Sequence, residues 1–296
     1  MSEGWTVHGT SRDAASNDFH NLDRLGIRDK VTLHGCEATD RRSVIDVITR
    51  SEPAAIYNLG GLTSVGLSFE QPAVANDTIA GATLNILEAI RTVNPRIKFY
   101  NAASSECFGN TPANGADEET PFQPRSPYAV AKAAAFSHVA KYRDAHGLFA
   151  ASGILFNHES PLRPQNFVTQ KIISGARAIA KGTLKGPLPL GNLDVRRDWG
   201  WAPEYVRAMW LIMQQPAAED FVIATGVSAT LAEFTQAAFA AFDLDWRKHV
   251  VSVPELMRPT DVTYSVGRPA LAQQRLGWSA QVTMPGLVAR LVADRI

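Results

Sequence analysis

Ala55-Ile-Tyr-Asn-Leu59, Asp77-Thr-Ile-Ala-Gly-Ala-Thr-Leu-Asn-Ile-Leu-Glu-Ala-Ile-Arg-Thr-Val93 and Ile97-Lys-Phe-Tyr-Asn101 follow one another as strand, helix and strand. The outer segments are short and carry β-branched and aromatic side chains, which suit a pleated, half-buried surface. The middle segment repeats apolar side chains at Ile79, Ala82, Thr83, Ile86, Leu87 and Ile90. That 3.6-residue period lays a stripe along one helix face. Pro53 and Pro95 end the connections just before the two strands. Two strands joined through a helix run parallel, so the unit predicts a parallel sheet covered by helices.

Outward from this unit, further strands are expected at Thr6-Val-His-Gly9, Val31-Thr-Leu-His34, 149–156 and Phe221-Val-Ile-Ala-Thr225, with an Ala-rich helix over 126–146. The fold class is α/β, a doubly wound parallel sheet. After about residue 157 the chain turns to Pro- and Gly-punctuated loops between helices at 168–182, 203–215 and 230–242. The division expected is therefore 1–156 as a nucleotide-binding domain and 157–296 as a smaller, loop-rich substrate lobe, with a strand near 221–226 returning to the first sheet.

A nucleotide-binding sheet of this kind opens on a central strand and a glycine-rich turn whose N–H groups hold a pyrophosphate. No such segment precedes Thr6, and Met1–Gly4 reads as the end of a helix running into a strand. Gly60-Gly-Leu-Thr-Ser-Val-Gly66 lacks the G-x-G-x-x-G spacing and is expected to line a cofactor from the side. The expectation is a numbering that starts at an internal Met of a longer protein, about 25 residues in, the length of one strand, turn and helix. The rival is a true fragment. Either way the missing strand would leave two unpaired sheet edges.

The 296 residues are 45% hydrophobic, enough for a packed core, and 29 Lys and Arg balance 29 Asp and Glu. A neutral chain argues against nucleic acid or another polyanion held by bulk charge. No apolar run approaches a membrane span and no basic, then apolar leader opens the sequence, so a cytoplasmic protein without a membrane partner is expected. Cys36 and Cys107 make no disulfide framework, and the seven histidines show no ligand spacing, so no metal is assigned.

Chemistry gathers after the fourth expected strand, where Ala102-Ala-Ser-Ser-Glu106 falls beyond its carboxyl end, the ligand side of an open parallel sheet. Tyr128 and Lys132 stand at i and i+4 of the helix after Pro124-Arg-Ser-Pro127, on one face. A nearby ammonium favours phenolate, as a base for an alcohol proton requires. Taken singly, Ser104 also reads as a cap and Glu106 as a solvated carboxylate.

Several blocks in one order resemble the GDP-mannose 4,6-dehydratase family of extended short-chain dehydrogenase/reductases, which have a Rossmann fold. They include Tyr57-Asn-Leu-Gly60, Ser68-Phe-Glu70, Ser104-Ser-Glu106, Tyr128-Ala-Val-Ala-Lys132, Asn157-His-Glu-Ser-Pro161, Phe167-Val-Thr169, Leu190-Gly-Asn-Leu-Asp194, Arg197-Asp-Trp-Gly200 and Leu276-Gly-Trp278. The resemblance implies a catalytic set of Ser104, Glu106, Tyr128 and Lys132. It implies cofactor contacts from Arg12, Leu59, Gly61, Tyr128, Lys132 and His158, and substrate contacts from Ser64, Asn157, Lys171, Arg197, Arg258 and Asp261. The substrate implied is GDP-mannose, the reaction its dehydration by an internal hydride transfer, and the assembly a homodimer or homotetramer packed through helices 77–93 and 126–146. Arg12 after the second strand favours NADP over NAD, although Asp13 stands where the family often has a second Arg. Cys36 for a common Asp, Gly61 and Asp261 for a usual Glu are further departures.

Bland readings stay open for several of these residues. Arg197 with Asp198, or Arg258 with Asp261, would serve as structural pairs; Trp199, Trp201 and Trp278 as core; and His158 as a hydrogen-bonded loop histidine. Two other functions also remain, a GDP-hexose reductase or epimerase, which needs no Glu106, and an inactive truncated form.

Overall fold

The computed structural model describes residues 4–294. The reading of Met1–Gly4 as a helix end lies outside them, apart from Gly4 in a bend. The strands are β1 (Val7–Ser11), β2 (Val31–Gly35), β3 (Ala55–Asn58), β4 (Lys98–Ser104), β5 (Ala150–Leu155), β6 (Asn157–Glu159), β7 (Leu188–Leu190), β8 (Arg196–Trp201), β9 (Phe221–Ile223), β10 (Ser228–Thr230) and β11 (Val250–Ser252). The helices are α1 (His20–Arg24), α2 (Arg41–Ser51), α3 (Val65–Glu70), α4 (Pro72–Asn76), α5 (Ala82–Val93), α6 (Pro127–His146), α7 (Val168–Ala180), α8 (Ala202–Gln214), α9 (Leu231–Ala240), α10 (Ala270–Leu276) and α11 (Met284–Ala293).

β3, β4, β5 and β9 form a parallel sheet in that order, and β1 and β2 form a second parallel pair. Among the described residues β1 and β3 do not pair with each other, so the two parallel sheets are separate. The return of 221–225 to the sheet is β9, registered Leu155 to Ile223 on β5. Phe99, Tyr100, Ile154 and Phe221 are essentially inaccessible, which makes β4 and β5 the buried centre. Strands buried on both faces read as continuous apolar runs, and β5 is Ala-Ala-Ser-Gly-Ile-Leu. Gly153 is required there, because a Cβ would collide with the Tyr100 hydroxyl.

Two expectations are corrected. The helix read over 77–93 begins as a π-turn, Asp77–Gly81, and becomes α-helical only from Ala82. Its wider turn brings the Thr78 carbonyl and Ile79 against Gly61, which sits at φ 106 with no room for a Cβ. The second half is also less loop-like than read: β6, β8 and β10 make a mixed sheet, and β7 pairs with β11. Three-residue strands such as β6 and β7 are too short to show alternation, which is why periodicity passes over them. That lobe has its own core of Ile172, Leu190, Trp199, Phe234, Phe239 and Leu287.

Local chemistry sets the helix that matters most. Ser126 caps α6 by accepting from Ala129 N at 3.1 Å, Pro127 occupies its first turn, and Gly147 ends it in a left-handed conformation. Ser68 Oγ accepts from Tyr128 N at 3.1 Å, tying α3 to the start of α6. No helix among the described residues is long and apolar enough to cross a membrane.

Candidate active site

The site forms where β4 ends and α6 begins. β4 runs three residues beyond the expected Asn101 and delivers Ser104 at its carboxyl end, followed by a 3-10 turn, Ser105–Phe108, that carries Glu106. Ser104 Oγ accepts from Glu106 N at 3.3 Å and lies toward the Tyr128 phenol, whose charged form it favours. The cap reading of Ser104 holds, and because it uses one lone pair the hydroxyl proton stays available to a neighbouring phenol.

Lys132 is buried and its Nζ donates to the Ala102 carbonyl at 2.7 Å, 5.8 Å from the Tyr128 ring centre. Burial holds the ammonium down at about 8. The same burial pushes the Tyr128 phenol well above its ordinary value, against the opposing influence of Ser104. Lys132, expected to favour phenolate, directs its ammonium to the β4 carbonyl, and burial acts on the phenol in the opposite sense.

The anionic and cationic side chains expected around the substrate do converge. Arg258 Nη1 stands 3.8 Å from Glu106 Oε1 and 3.5 Å from Asp261 Oδ1, and Arg197 Nη2 donates to that same Asp261 oxygen at 3.1 Å. Asp261 thus joins the two guanidiniums rather than standing free for a ribose, and the bland pairing of Arg258 with Asp261 is real. The Arg197–Asp198 pairing is not. Neighbours on a strand point to opposite faces, and Asp198 turns inward to accept from Thr225 N and Oγ1, Gly226 N and Gly267 N.

The remaining residues line the surroundings. Asn157 lies on β6 beside Trp199 of β8, and Lys171, on α7, makes no ion pair among the described residues. Ser64 is spent on capping α3, accepting from Leu67 N at 3.2 Å. Arg12 is exposed just past β1, 3.5 Å from Asp13, and Leu59 is exposed just past β3. Cys36 follows β2, its thiol pushed up by burial. His158 stacks on Tyr205 with Nδ1 2.8 Å from the Phe156 carbonyl, and burial lowers it to about 4, so the imidazole is neutral. Trp199 and Trp278 are core, and Trp201 is packed against the same cluster as Trp199.

Arg163 escapes a sequence reading. It stacks over Phe167 at 3.9 Å, donates to the His158 carbonyl at 3.2 Å and pairs with buried Glu159 at 3.1 Å, its Nε–H aimed off the line of a hydrogen bond. Its charge acts on both the Tyr128 phenol and His158. The only signal was a cation inside Ser160-Pro-Leu-Arg-Pro164, which reads as loop punctuation.

Residues 1–291 match the family model described as GDP-mannose 4,6 dehydratase. GDP-mannose 4,6 dehydratase 1 of Arabidopsis thaliana is 40% identical over 307 residues, covering 99% of this chain and 84% of that protein. GDP-mannose 4,6-dehydratase of Vibrio cholerae is 37% identical over 328 residues, covering 99% and 88%. Among solved structures, dTDP-glucose 4,6-dehydratase from Bacillus anthracis in complex with NAD superposes with a TM-score of 0.82 at 17% identity, covering 98% of this chain and 87% of that one. RMD from Pseudomonas aeruginosa, complexed with NADPH, gives 0.80 at 21% identity, covering 98% and 97%. These two likenesses establish the extended α/β fold, and the sequence matches establish the lineage: the chain belongs to the GDP-mannose 4,6-dehydratase family.

Proposed function

We propose that the protein converts GDP-mannose to GDP-4-keto-6-deoxymannose and water, with a nicotinamide dinucleotide that is regenerated in each turnover. The observation that carries this reading is a carboxylate, Glu106, on the turn that follows Ser104 at the end of β4, beside the start of the helix that bears Tyr128 and Lys132. Plain alcohol oxidation needs the phenol alone; elimination needs a second base for a neighbouring carbon.

The residues present fit a nicotinamide nucleotide. Lys132 Nζ is buried with one acceptor for three protons, which leaves donors for a ribose diol. The Gly61 turn, packed against the Thr78 carbonyl and Ile79 with no space for a Cβ, fixes the loop after β3 that would line the nucleotide. Arg12, Leu59 and His158 would complete the contacts, and Arg163 joins them through its position beside Tyr128 and His158. The exposed cation at Arg12 suits a ribose 2′-phosphate and favours NADP over NAD. When bound, the nicotinamide supplies a reversible hydride acceptor close to the sugar.

Tyr128, with Ser104 relaying, takes the C4 hydroxyl proton as the carbon becomes a ketone. That ketone acidifies the C5–H bond. Glu106 removes the C5 proton and passes it to the C6 hydroxyl, which leaves as water and gives an alkene conjugated to the ketone. After reduction at C6 a solvent proton is delivered to C5, and Tyr128 gives up to solvent the proton it took from the C4 hydroxyl, so that both bases are reset for the next turnover. Asn157 and Lys171 face the sugar and diphosphate in this reading, with Arg197 and Arg258 as phosphate ligands suited to the planar fork.

A homodimer or homotetramer is part of the proposal. Val74 on α4 and Val130 on α6 are exposed beside a cleft of about 460 Å³ lined by Pro72, Asn76, Pro124 and Pro127. The test of the function is Glu106→Gln. Loss of 6-deoxy product with cofactor binding retained supports dehydration, whereas a variant that keeps full activity on a GDP-hexose identifies a reductase or epimerase.

A further inference from the structure

We infer that Arg258 restrains Glu106, and that a nucleotide diphosphate competes for Arg258 and releases Glu106, so that the unreactive end of the substrate frees the base for the reactive end. The inference rests on the reading of this site as one for a nucleoside-diphosphate sugar.

Arg258 Nη1 lies between two carboxylates, 3.8 Å from Glu106 Oε1 and 3.5 Å from Asp261 Oδ1. Asp261 is in turn hydrogen-bonded by Arg197. Two carboxylates and two guanidiniums sum to zero charge, so the cluster as it stands offers little net attraction to a diphosphate diester carrying two negative charges. To be gripped, the diphosphate has to take guanidinium N–H groups away from a carboxylate. The Glu106 contact is the one that yields. It is the longest of the three ion pairs and is not a hydrogen bond, and the Arg258 side chain is 38% exposed against 9% for Arg197.

The backbone around Glu106 is held, so release moves the side chain alone. Glu106 N donates to Ser104 Oγ, and the next carbonyl, Cys107 O, accepts from Gln123 N at 2.8 Å. Arg258, by contrast, sits on a segment joined to the α6 approach by the Thr260 hydroxyl bonding the Arg125 carbonyl at 2.5 Å. Binding energy from the diphosphate is spent on freeing a group at the reacting carbon, which raises turnover rather than affinity. Arg258 is then a positioning residue for the base as well as a phosphate ligand.

Carbodiimide labelling of the full-length protein with glycine ethyl ester reads the state of Glu106 directly. The peptide bearing Glu106 is quantified by mass spectrometry with and without GDP, with exposed Glu70 as the internal control. GDP carries the diphosphate but no hexose, so it leaves the sugar subsite open. GDP should raise Glu106 labelling severalfold; Arg258→Gln should show the raised rate without GDP; Arg258→Lys should fall between. Calorimetry on the same samples reports GDP occupancy. Bound GDP with Glu106 labelling unchanged or reduced overturns the restraint alone, as does Arg258→Gln labelling like the parent. No GDP binding at all overturns both the restraint and the nucleotide-sugar reading.

Discussion

Asp198→Asn replaces one buried oxygen by an amide, and four hydrogen bonds state the consequence. Asp198 is wholly inaccessible; Oδ1 accepts from Thr225 N at 2.9 Å and Thr225 Oγ1 at 2.7 Å, and Oδ2 from Gly226 N at 2.9 Å and Gly267 N at 3.3 Å. An asparagine oxygen can keep one of these pairs. Its NH2 then faces the N–H groups of the other, leaving buried donors unsatisfied at about 1–3 kcal/mol each. Neutralising the group returns part of this, because burial already pushes the Asp198 carboxyl up and so disfavours its charge. The net expectation is a loss of about 2–4 kcal/mol in stability. Activity should fall too, since the strand that buries Asp198 presents Arg197 to the site. Urea unfolding followed by tryptophan fluorescence measures the first effect. A loss under about 0.5 kcal/mol, the size of an ordinary surface substitution, would refute the clamp.

The pH dependence has a definite sign at His158. Burial lowers its folded-state pKa from 6.5 to about 4, so the unfolded chain binds more protons between those values. The His158 contribution is fully present above pH 6.5 and is lost as pH falls toward 4, by on the order of 3 kcal/mol; His158→Asn should flatten that limb in stability measured against pH. Tyr100→Phe removes a buried hydroxyl with no partner, and should leave the unfolding midpoint unchanged or raise stability by up to about 1 kcal/mol. A clear loss would reveal a hydrogen bond the structure does not contain. Tyr128→Phe should lower turnover of GDP-mannose about 10²–10⁴-fold while calorimetric affinity for GDP is kept.

The strand and helix pattern was legible because each signal was local: apolar period in α5, caps and Pro127 in α6, continuous apolar runs in β4 and β5. Ser104, Glu106, Tyr128 and Lys132 were readable for the same reason, being fixed by a strand end and a helix start. What the sequence withheld depends on side-chain direction or on distant partners. The i and i+4 spacing put Lys132 on the Tyr128 face, but it could not show that Nζ would bond the Ala102 carbonyl or that burial would dominate the phenol. Asp261 meets Arg197 across 64 residues of chain, beyond any spacing rule. The failed Arg197–Asp198 pair, however, was avoidable, since alternation along a strand already separates neighbours. Arg163 was hidden because its stacking on Phe167 and its pairing with Glu159 arise only when the 160–167 loop folds back on β6.

Deuterium at C4 of GDP-mannose follows the hydride itself. Incubated with the protein in ordinary water and read by NMR, the label should appear at C6 of a 4-keto-6-deoxy product, with C5 carrying a solvent proton. Label retained at C4, or lost to the bulk cofactor pool without formation of a C6 methyl group, would contradict internal hydride transfer coupled to dehydration.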